Sequence, residues 1–359
     1  MKTIVEGSAI IKIAEQEKVS KKLPVFYNPI MKTNRDISIL LLNALNKKQM
    51  QIALPLAGSG VRGIRFLKEL KKDKIKNISF NDLKPITVKY INKNILLNNI
   101  KNKKLKPDRK GNIDDYIKIT NKEADIFLLE SSGFDYIDID PFGTPNPFLD
   151  ASIKRLARKG ILAITATDTS ALAGTYENAC KRKYWAKPLR TAIMHEIGLR
   201  ILIRKIQLIA AQYEKALTPI FSYATDHYYR VYFQCQKGKT KVDKILKQHQ
   251  MYKDAGPLWT GQLADKKLAE KIVRNNKQPE LSLLLQNISD ESKLKAWPFY
   301  DIHTLCKKNK LSIPKKELIV REIKKKKYKV SNTHFSLHSV RSNIPKRELI
   351  EILRRLQPN

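Results

Sequence analysis

Asp140-Pro141-Phe142-Gly143 ends a run of alternating apolar and acidic residues, Ile137-Asp138-Ile139-Asp140, with Pro145 and Pro147 close behind. A carboxylate and a proline-flanked backbone carbonyl can both accept hydrogen bonds from one exocyclic amine. That orientation strips conjugation from the nitrogen and aims its lone pair, while Phe142 offers a flat face to a base. The same residues also read as a plain strand stop, with Asp as turn former and Pro as breaker. Asp138 shares a face with Asp140 in a regular strand. It is either a second acid near a site or a paired, buried one.

Three other constellations carry chemistry. Gly58-Ser59-Gly60-Val61-Arg62-Gly63 is a complete G-x-G-x-x-G, which lets backbone approach a cofactor closely and turn into a helix N-terminus. Asp82 follows at the end of ISFND, where an acid can accept from both ribose hydroxyls of an adenosine cofactor. It also precedes Lys84-Pro85, a respectable helix start for which Asp82 could be the cap. Lys122-Glu123-Ala124-Asp125 could meet an adenine edge, the carboxylate accepting from the amine and a backbone N–H donating to a ring nitrogen; alone it is an unremarkable polar turn.

These groups need a scaffold that brings them to one edge. From about 50 to 235, short β-branched runs (50–57, 77–80, 116–120, 135–139, 160–167) alternate with helix-period stretches such as 63–72 and 87–99. This predicts an α/β domain with a mostly parallel sheet. A long helix is expected over 189–216, then two strands (219–226 and 227–236) joined almost directly, which permits an antiparallel edge but no crossover. That departs from the dinucleotide-binding pattern and resembles a class I methyltransferase sheet, a Rossmann-like variant. The charge-rich KGKTK (237–241) reads as the break between a domain over 1–238 and a smaller, mainly helical α+β domain over 239–359. There, helix-period segments (263–274, 280–288, 301–310, 314–326), a non-helical stretch (328–343) and a last helix resemble a winged-helix module.

Composition narrows the partner. The chain of 359 residues has 70 Lys and Arg against 34 Asp and Glu, a net charge of +36. A field of that size points to polyanions, and nucleic acids are the obvious ones; a lysine-biased proteome is the bland alternative. Cys180, Cys235 and Cys306 form no C-x-x-C pair, so neither a zinc ribbon nor a disulfide framework is encoded. The first twenty residues carry acids where a signal peptide needs an apolar core. No apolar run approaches the ~18 residues of a membrane span, and a cytoplasmic location is expected.

With those residues in hand, the chain resembles the tRNA guanine-26 N2-dimethyltransferases, in their archaeal-like form, over nearly its whole length. The stretches that carry the resemblance include EGSAIIKI (6–13), VFYNPIMKTNRDISI (25–39), LAGSGVRGIRFLKEL (56–70), IDIDPFGTPNPFLDA (137–151), HEIGLRIL (195–202), AGPLWTGQL (255–263) and THFSL (333–337). Asn34-Arg35-Asp36, Gly60-Val61-Arg62-Gly63-Ile64-Arg65 and Asp-Pro-Phe-Gly together are highly specific. The resemblance implies methyl transfer from S-adenosylmethionine to the exocyclic N2 of guanine-26 of tRNA; a monomer is expected. It implies cofactor contacts from Arg35, Arg62, Asp82, Glu123 and the Ala124 backbone, beside Gly58 and Gly60 of the glycine motif. Arg35 and Arg62 make sense against the methionine carboxylate, or as locks on a neighbouring acid. Asp140, Pro141 and Phe142 take the catalytic positions, and Phe26 is a second base-stacking candidate.

Asp168 is expected at the pocket rim, and Lys187, Arg190, Lys325 and Lys326 against RNA phosphates, each with a solvated-surface alternative. Lys181, Arg182 and Lys183 beside Tyr184 and Trp185 extend the basic, aromatic mix. His195, in an apolar helix, reads as a hydrogen-bonded core residue. Some relatives carry a cysteine-rich zinc insertion before AGPLW; here that place holds 247–254, where His249 has no cysteine beside it, and no metal is expected. Two rival readings are a different nucleic-acid amine methyltransferase, such as one acting on adenine N6, and a non-catalytic tRNA-binding protein that kept the fold.

Overall fold

Runs such as Ile75–Asn81 and Phe134–Ile139 are too short for ordinary helices and carry Ile and Phe among polar residues, and both become interior strands of one sheet. The computed structural model describes residues 2–15, 23–104, 115–225 and 227–357. The chain divides into two compact units. The first is Met1–Thr167, Ile209–Thr218 and Tyr232–Val242; the second is Asp168–Leu208, Pro219–Val231 and Asp243–Asn359.

The first unit opens with an antiparallel hairpin, β1 (Lys2–Glu6) and β2 (Ala9–Ile13), turning at Gly7-Ser8. Helix α1 (Lys32–Ala44) follows. Then come β3 (Met50–Leu54), α2 (Val61–Glu69), β4 (Ile75–Asn81), α3 (Pro85–Leu97), β5 (Ile117–Thr120), α4 (Ala124–Leu129), β6 (Phe134–Ile139), α5 (Leu149–Arg155) and β7 (Leu156–Ala166). With β8 (Lys215–Ala224) and β9 (Tyr229–Lys237) they form a seven-stranded sheet in the order β5-β4-β3-β6-β7-β9-β8. The pairs β3/β4, β4/β5, β3/β6 and β6/β7 are parallel. The few residues between β8 and β9 allow only an antiparallel pair. From β3 the chain winds outward through β4 and β5, then returns to β6 on the other side of β3. This reversal opens a crevice beyond the carboxyl ends of β3 and β6, where α/β sheets hold ligands.

Asparagines fasten the hairpin to α3. Asn94 and Asn98, one turn apart, exchange hydrogen bonds with the backbone of Lys12 and Ile10 along the outer edge of β2. Asn94 also donates to the carbonyl of Ser59 in the glycine loop at 2.9 Å. The edge strand is thereby covered rather than left to pair with another chain.

In the second unit, helix Met194–Ala211 as far as Leu208 and helices Lys266–Asn275 and Pro279–Ser292 accompany the hairpin of β10 (His249–Tyr252) and β11 (Ala255–Trp259). A small sheet of β12 (Tyr300–Asp301), β13 (Val330–Thr333) and β14 (Ser336–Ser342) runs in the order β12-β14-β13. Helices Ile302–Lys308, Lys316–Lys325 and Lys346–Arg355 bury Ile319, Ile323, Leu349 and Leu353 against Val340. Strand, two helices and a hairpin in that order follow the winged-helix plan. A buried ion network lies close by. Arg341 donates from Nη1 to Glu196 and from Nε to Glu291, both at 3.0 Å, while His334 Nδ1 pairs with Glu291. His334, which had no role in the sequence, is thus a partner of this network.

The structure departs from the sequence reading in places. The long helix covers Met194–Ala211 only, because Glu214 turns the chain at φ 52° and Lys215 already belongs to β8. Helix Lys239–Leu246 begins inside the charge-rich KGKTK break, just after Gly238 at φ 134°. The hairpin β1–β2, helix α1 and the hairpin β10–β11 have no counterpart among the elements expected from the sequence. Among the described residues no helix is long and apolar enough to cross a membrane.

Candidate active site

The glycine loop closes the carboxyl end of β3. Gly60 caps α2 from the left-handed region, φ 80°, and an added Cβ would meet Ile91 Cγ1 at 3.3 Å. Gly63 serves packing instead: a Cβ there would lie 2.2 Å from the Phe80 ring of β4. Gly60→Ala is therefore expected to destabilise the first unit by about 1–2 kcal/mol, through the left-handed backbone penalty. A thermal melt should show this as a drop of a few degrees.

Asp82 stands just past β4. Its Oδ2 accepts from Gly58 N–H at 3.0 Å and its Oδ1 from Lys84 N–H at 3.1 Å. The carboxylate thus ties the glycine loop to the start of α3, with one backbone N–H on each oxygen. Burial pushes its pKa up, against those backbone hydrogen bonds. The residue before it, absent from the sequence reading, organises the edge. Asn81 is fully buried and donates to the carbonyls of Pro55 (3.1 Å) and Lys122 (2.9 Å). Its Oδ1 accepts from Lys122 N–H at 3.1 Å and Thr120 Oγ1 at 2.8 Å. One side chain thus joins the ends of β3, β4 and β5. A polar residue inside a buried strand was the available signal. Glu123 sits at the N-cap position of α4, exposed, and its carboxylate has no hydrogen bond among the described residues; Ala124 beside it is buried.

Asp140 lies past the end of β6 and pairs with Arg62, Nη2 to Oδ2 at 2.5 Å. Arg62 Nη1 donates to Ser38 Oγ at 3.0 Å, which in turn meets Tyr232 Oη at 2.8 Å. Asp138 now has partners: it accepts from Tyr136 Oη at 2.5 Å and lies 3.4 Å from Arg62 Nη1. Asp138 answers to both readings: it is paired and buried, and it borders the same cleft and faces the same arginine as Asp140. The loop beyond is pinned, with Gly143 N–H donating to Thr167 Oγ1 at 2.6 Å and Thr167 N–H to Gly143 O at 2.9 Å. Pro141 is buried. Phe142 is 38% exposed, and its ring lies edge-on to Phe26 with centroids 4.2 Å apart. Phe26, Gly58, Arg62, Asp138 and Asp140 line one cleft.

Arg35 also borders the cleft, but its guanidinium is engaged. It grips Glu6 through Nε and Nη2 and donates to Asn28 O at 3.0 Å. Of the two uses foreseen for it, locking an acid is the one seen here. Glu6 also accepts from Arg65 at 3.0 Å and Tyr27 at 2.9 Å, and Arg65 reaches Asp36 at 2.7 Å and Glu69 at 2.8 Å. Asn34 donates to Thr165 at 3.2 Å. Arg35, Asp36 and Arg65 thus belong to one buried ion cluster around Glu6, whereas Arg62 belongs with Ser38, Asp138 and Asp140 at the cleft itself.

The remaining sequence candidates fall in the second unit. Asp168 accepts from Tyr184 Oη at 2.5 Å and lies 3.4 Å from Lys183. Tyr184 is fully buried, which removes it from the exposed basic and aromatic mix; Trp185 stays in it, 53% exposed. Lys187 and Arg190 are exposed, and the Lys187 backbone bridges to Gly256. Lys325 pairs with Glu322 and Lys326 with Glu348, each at 2.8 Å. His195 is half-buried against Tyr229 Oη at 3.1 Å. His249 meets Gln207 at 2.8 Å, and burial lowers its pKa to about 4.

The family model for N2,N2-dimethylguanosine tRNA methyltransferase matches residues 7–255 and 246–354. A tRNA (guanine(26)-N(2))-dimethyltransferase of Methanobrevibacter smithii is 35% identical, over 99% of this chain and 98% of that protein. A tRNA (guanine(26)-N(2)/guanine(27)-N(2))-dimethyltransferase of Aquifex aeolicus is 36% identical, over 99% and 96%. Among solved structures, Trm1 from Pyrococcus horikoshii, in complex with S-adenosyl-L-methionine, superposes with a TM-score of 0.87 at 32% identity, covering 98% of this chain and 100% of that one. The chain belongs to the N2,N2-dimethylguanosine tRNA methyltransferase family.

Proposed function

We propose that this protein transfers methyl groups from S-adenosylmethionine to the exocyclic N2 of guanine-26 in tRNA, giving N2-methyl- and then N2,N2-dimethylguanosine. The observation that carries the reading is a carboxylate, Asp140, locked by Arg62 at the sheet crevice beside a glycine loop, in a chain of this family. The cofactor fits the residues present. Asp82 offers its carboxylate to ribose hydroxyls, Glu123 and the Ala124 N–H stand at the next strand end for adenine, and Gly58 and Gly60, at φ 53° and 80°, shape the loop between them. Arg35 and Arg62 reach a methionine carboxylate only by sharing or exchanging the acids they hold.

When bound, S-adenosylmethionine supplies an electrophilic methyl group whose sulfonium sulfur leaves with the bonding pair. The guanine amine is conjugated and a poor nucleophile, so catalysis rests on positioning and electrostatics. Arg62 occupies Asp140 Oδ2, which leaves Oδ1 to accept from N2–H, with the Pro141 carbonyl as second acceptor. Held this way, the amine points its lone pair at the methyl carbon, and Asp140 takes the proton the nitrogen sheds as the new bond forms. The base must leave its stack to reach Asp140, and the exposed face of Phe142, backed by Phe26, receives it. Asp168, Lys187, Arg190, Lys325 and Lys326 are assigned to the tRNA, the last two by exchanging their glutamates for phosphates. A monomeric, metal-free and cytoplasmic enzyme, with catalysis in 1–238 and tRNA binding in 239–359, completes the reading.

The test is incubation with S-adenosylmethionine and unmodified tRNA, followed by nucleoside mass spectrometry and mapping of the modified position. Methylated guanosine at position 26 is expected; methylated adenosine without it would overturn the assignment. Mapping matters because the Aquifex aeolicus relative is named for guanine-27 as well. Asp82→Ala should weaken cofactor binding about tenfold or more, the scale of hydrogen bonds to a charged group. Calorimetric titration with S-adenosylmethionine reads this directly, and an unchanged affinity would remove Asp82 from the cofactor site.

A further inference from the structure

The second unit carries a groove of about 730 Å³ that none of the roles above uses. Its floor is aromatic, with Trp297, Tyr252 and Tyr300 each half-buried. The rings of Trp297 and Tyr252 lie 5.3 Å apart, tilted by 49°. The Arg200 guanidinium sits 4.5 Å from the centre of the Trp297 ring. Arg200 is itself immobilised: Nε and Nη2 donate to Glu196 at 3.0 and 2.8 Å, and Nη1 to the carbonyls of Trp259 and Gly261 at 3.0 and 2.9 Å. Tyr300 Oη donates to Ile344 O at 2.8 Å. The platform is therefore set before a ligand arrives, and little side-chain ordering is left to oppose binding.

The rim is cationic. Lys253, Lys295, Lys308 and Lys346 border the groove with exposed side chains. The acid on its wall is committed elsewhere: Asp301 Oδ1 accepts from Thr304 N–H at 2.7 Å and Oδ2 from Ser339 Oγ at 3.0 Å. Helix Lys346–Arg355 begins at the same rim, and its N-terminal partial charge adds to the lysines. An aromatic floor with cations above it suits a flat base joined to phosphates. A-form duplex hides its base faces, so the fitting partner is a nucleotide outside a helix.

We propose that this groove holds an unstacked nucleotide of the bound tRNA, its base on Trp297 and Tyr252 and its flanking phosphates against the rim lysines. The inference rests on the tRNA reading above. It makes the groove a grip on a nucleotide other than the reacting guanine, so it acts on tRNA affinity and not on chemistry.

The test compares wild-type protein, Trp297→Ala, Trp297→Phe and the double variant Lys295→Gln/Lys346→Gln, with unmodified tRNA transcript and S-adenosylmethionine. Trp297→Ala should raise the KM for tRNA about tenfold, the size of one base–aromatic stack. The kcat at saturating tRNA and the affinity for S-adenosylmethionine should hold, and Trp297→Phe should recover most of the loss. The double variant, altered only at exposed lysines, should lower the slope of log affinity against log salt by about 1 to 2. It keeps the test open if Trp297→Ala does not fold. An active wild type whose tRNA KM and salt slope are unmoved by these changes overturns the groove alone. A wild type that methylates no guanosine overturns the reading beneath it. Binding of guanosine monophosphate in the groove as tightly as tRNA would make it a mononucleotide site and overturn the proposal.

Discussion

Asp140→Ala is expected to cut methyl transfer by about 10³-fold or more, the combined scale of a lost proton acceptor and a lost electrostatic contact. The Michaelis constant for tRNA and the affinity for S-adenosylmethionine should stay close to wild type, because Asp140 acts on the amine. The fold should tolerate the change for a stated reason. Arg62 is buried, and a buried charge stripped of its only partner is strongly destabilising. Here, however, Arg62 keeps Asp138 at 3.4 Å and Ser38 at 3.0 Å. Asp140→Asn refines the result. Its amide oxygen still accepts from N2–H but cannot take the proton or pair with Arg62 as an anion, so most of the loss should persist. Single-turnover transfer with saturating cofactor reads the chemical step alone. Near-normal turnover in either variant would remove Asp140 from the mechanism.

What could be read from the sequence follows from the range of the interactions. The glycine loop, Asp82 and Asp140 are local signals, since each sits at a strand end that β-branched runs and turn residues already mark. The shared face of Asp138 and Asp140 came from the two-residue repeat of a strand. Their common partner did not, because Arg62 is 78 residues from Asp140 and nothing local pairs them. The same holds for Arg35, whose type suited either a ligand carboxylate or a protein acid; only the folded hairpin brings Glu6 to it. Asn81 was overshadowed by Asp82, although a fully buried amide needs several partners and so marks a junction. The β1–β2 hairpin had a readable sign, alternation around Gly7-Ser8, and β2 does bury Ala9, Ile11 and Ile13 in turn. Trp297, by contrast, carries no local mark that separates a core tryptophan from a groove floor.

Glu6→Gln should produce the largest change in stability, about 3–5 kcal/mol at neutral pH, because it breaks a buried ion cluster by removing its shared acid. Burial alone would raise the Glu6 pKa. Hydrogen bonds and charge from Arg35, with help from Tyr27 and Arg65, outweigh it and hold the carboxyl down at about 2, from an ordinary 4.5. A depressed carboxylate stabilises the fold fully above its unfolded pKa and loses that stabilisation as pH falls toward the folded one. The wild type should therefore lose roughly 3 kcal/mol between about pH 4.5 and pH 2 from this group. Glu291 in the second unit is also held at about 2, and its contribution is present in both proteins. The difference between wild type and Glu6→Gln cancels it where the two sites, which share no partner among the described residues, are additive. Unfolding measured at several pH values should show a gap that is wide at pH 7, shrinks below pH 4.5 and nearly closes by pH 2. A gap independent of pH would mean that the glutamate acts by shape alone. Because Arg35 borders the cleft, the same variant should also weaken S-adenosylmethionine binding at pH 7. The two readouts together separate a framework that holds the cleft from one that merely stands behind it.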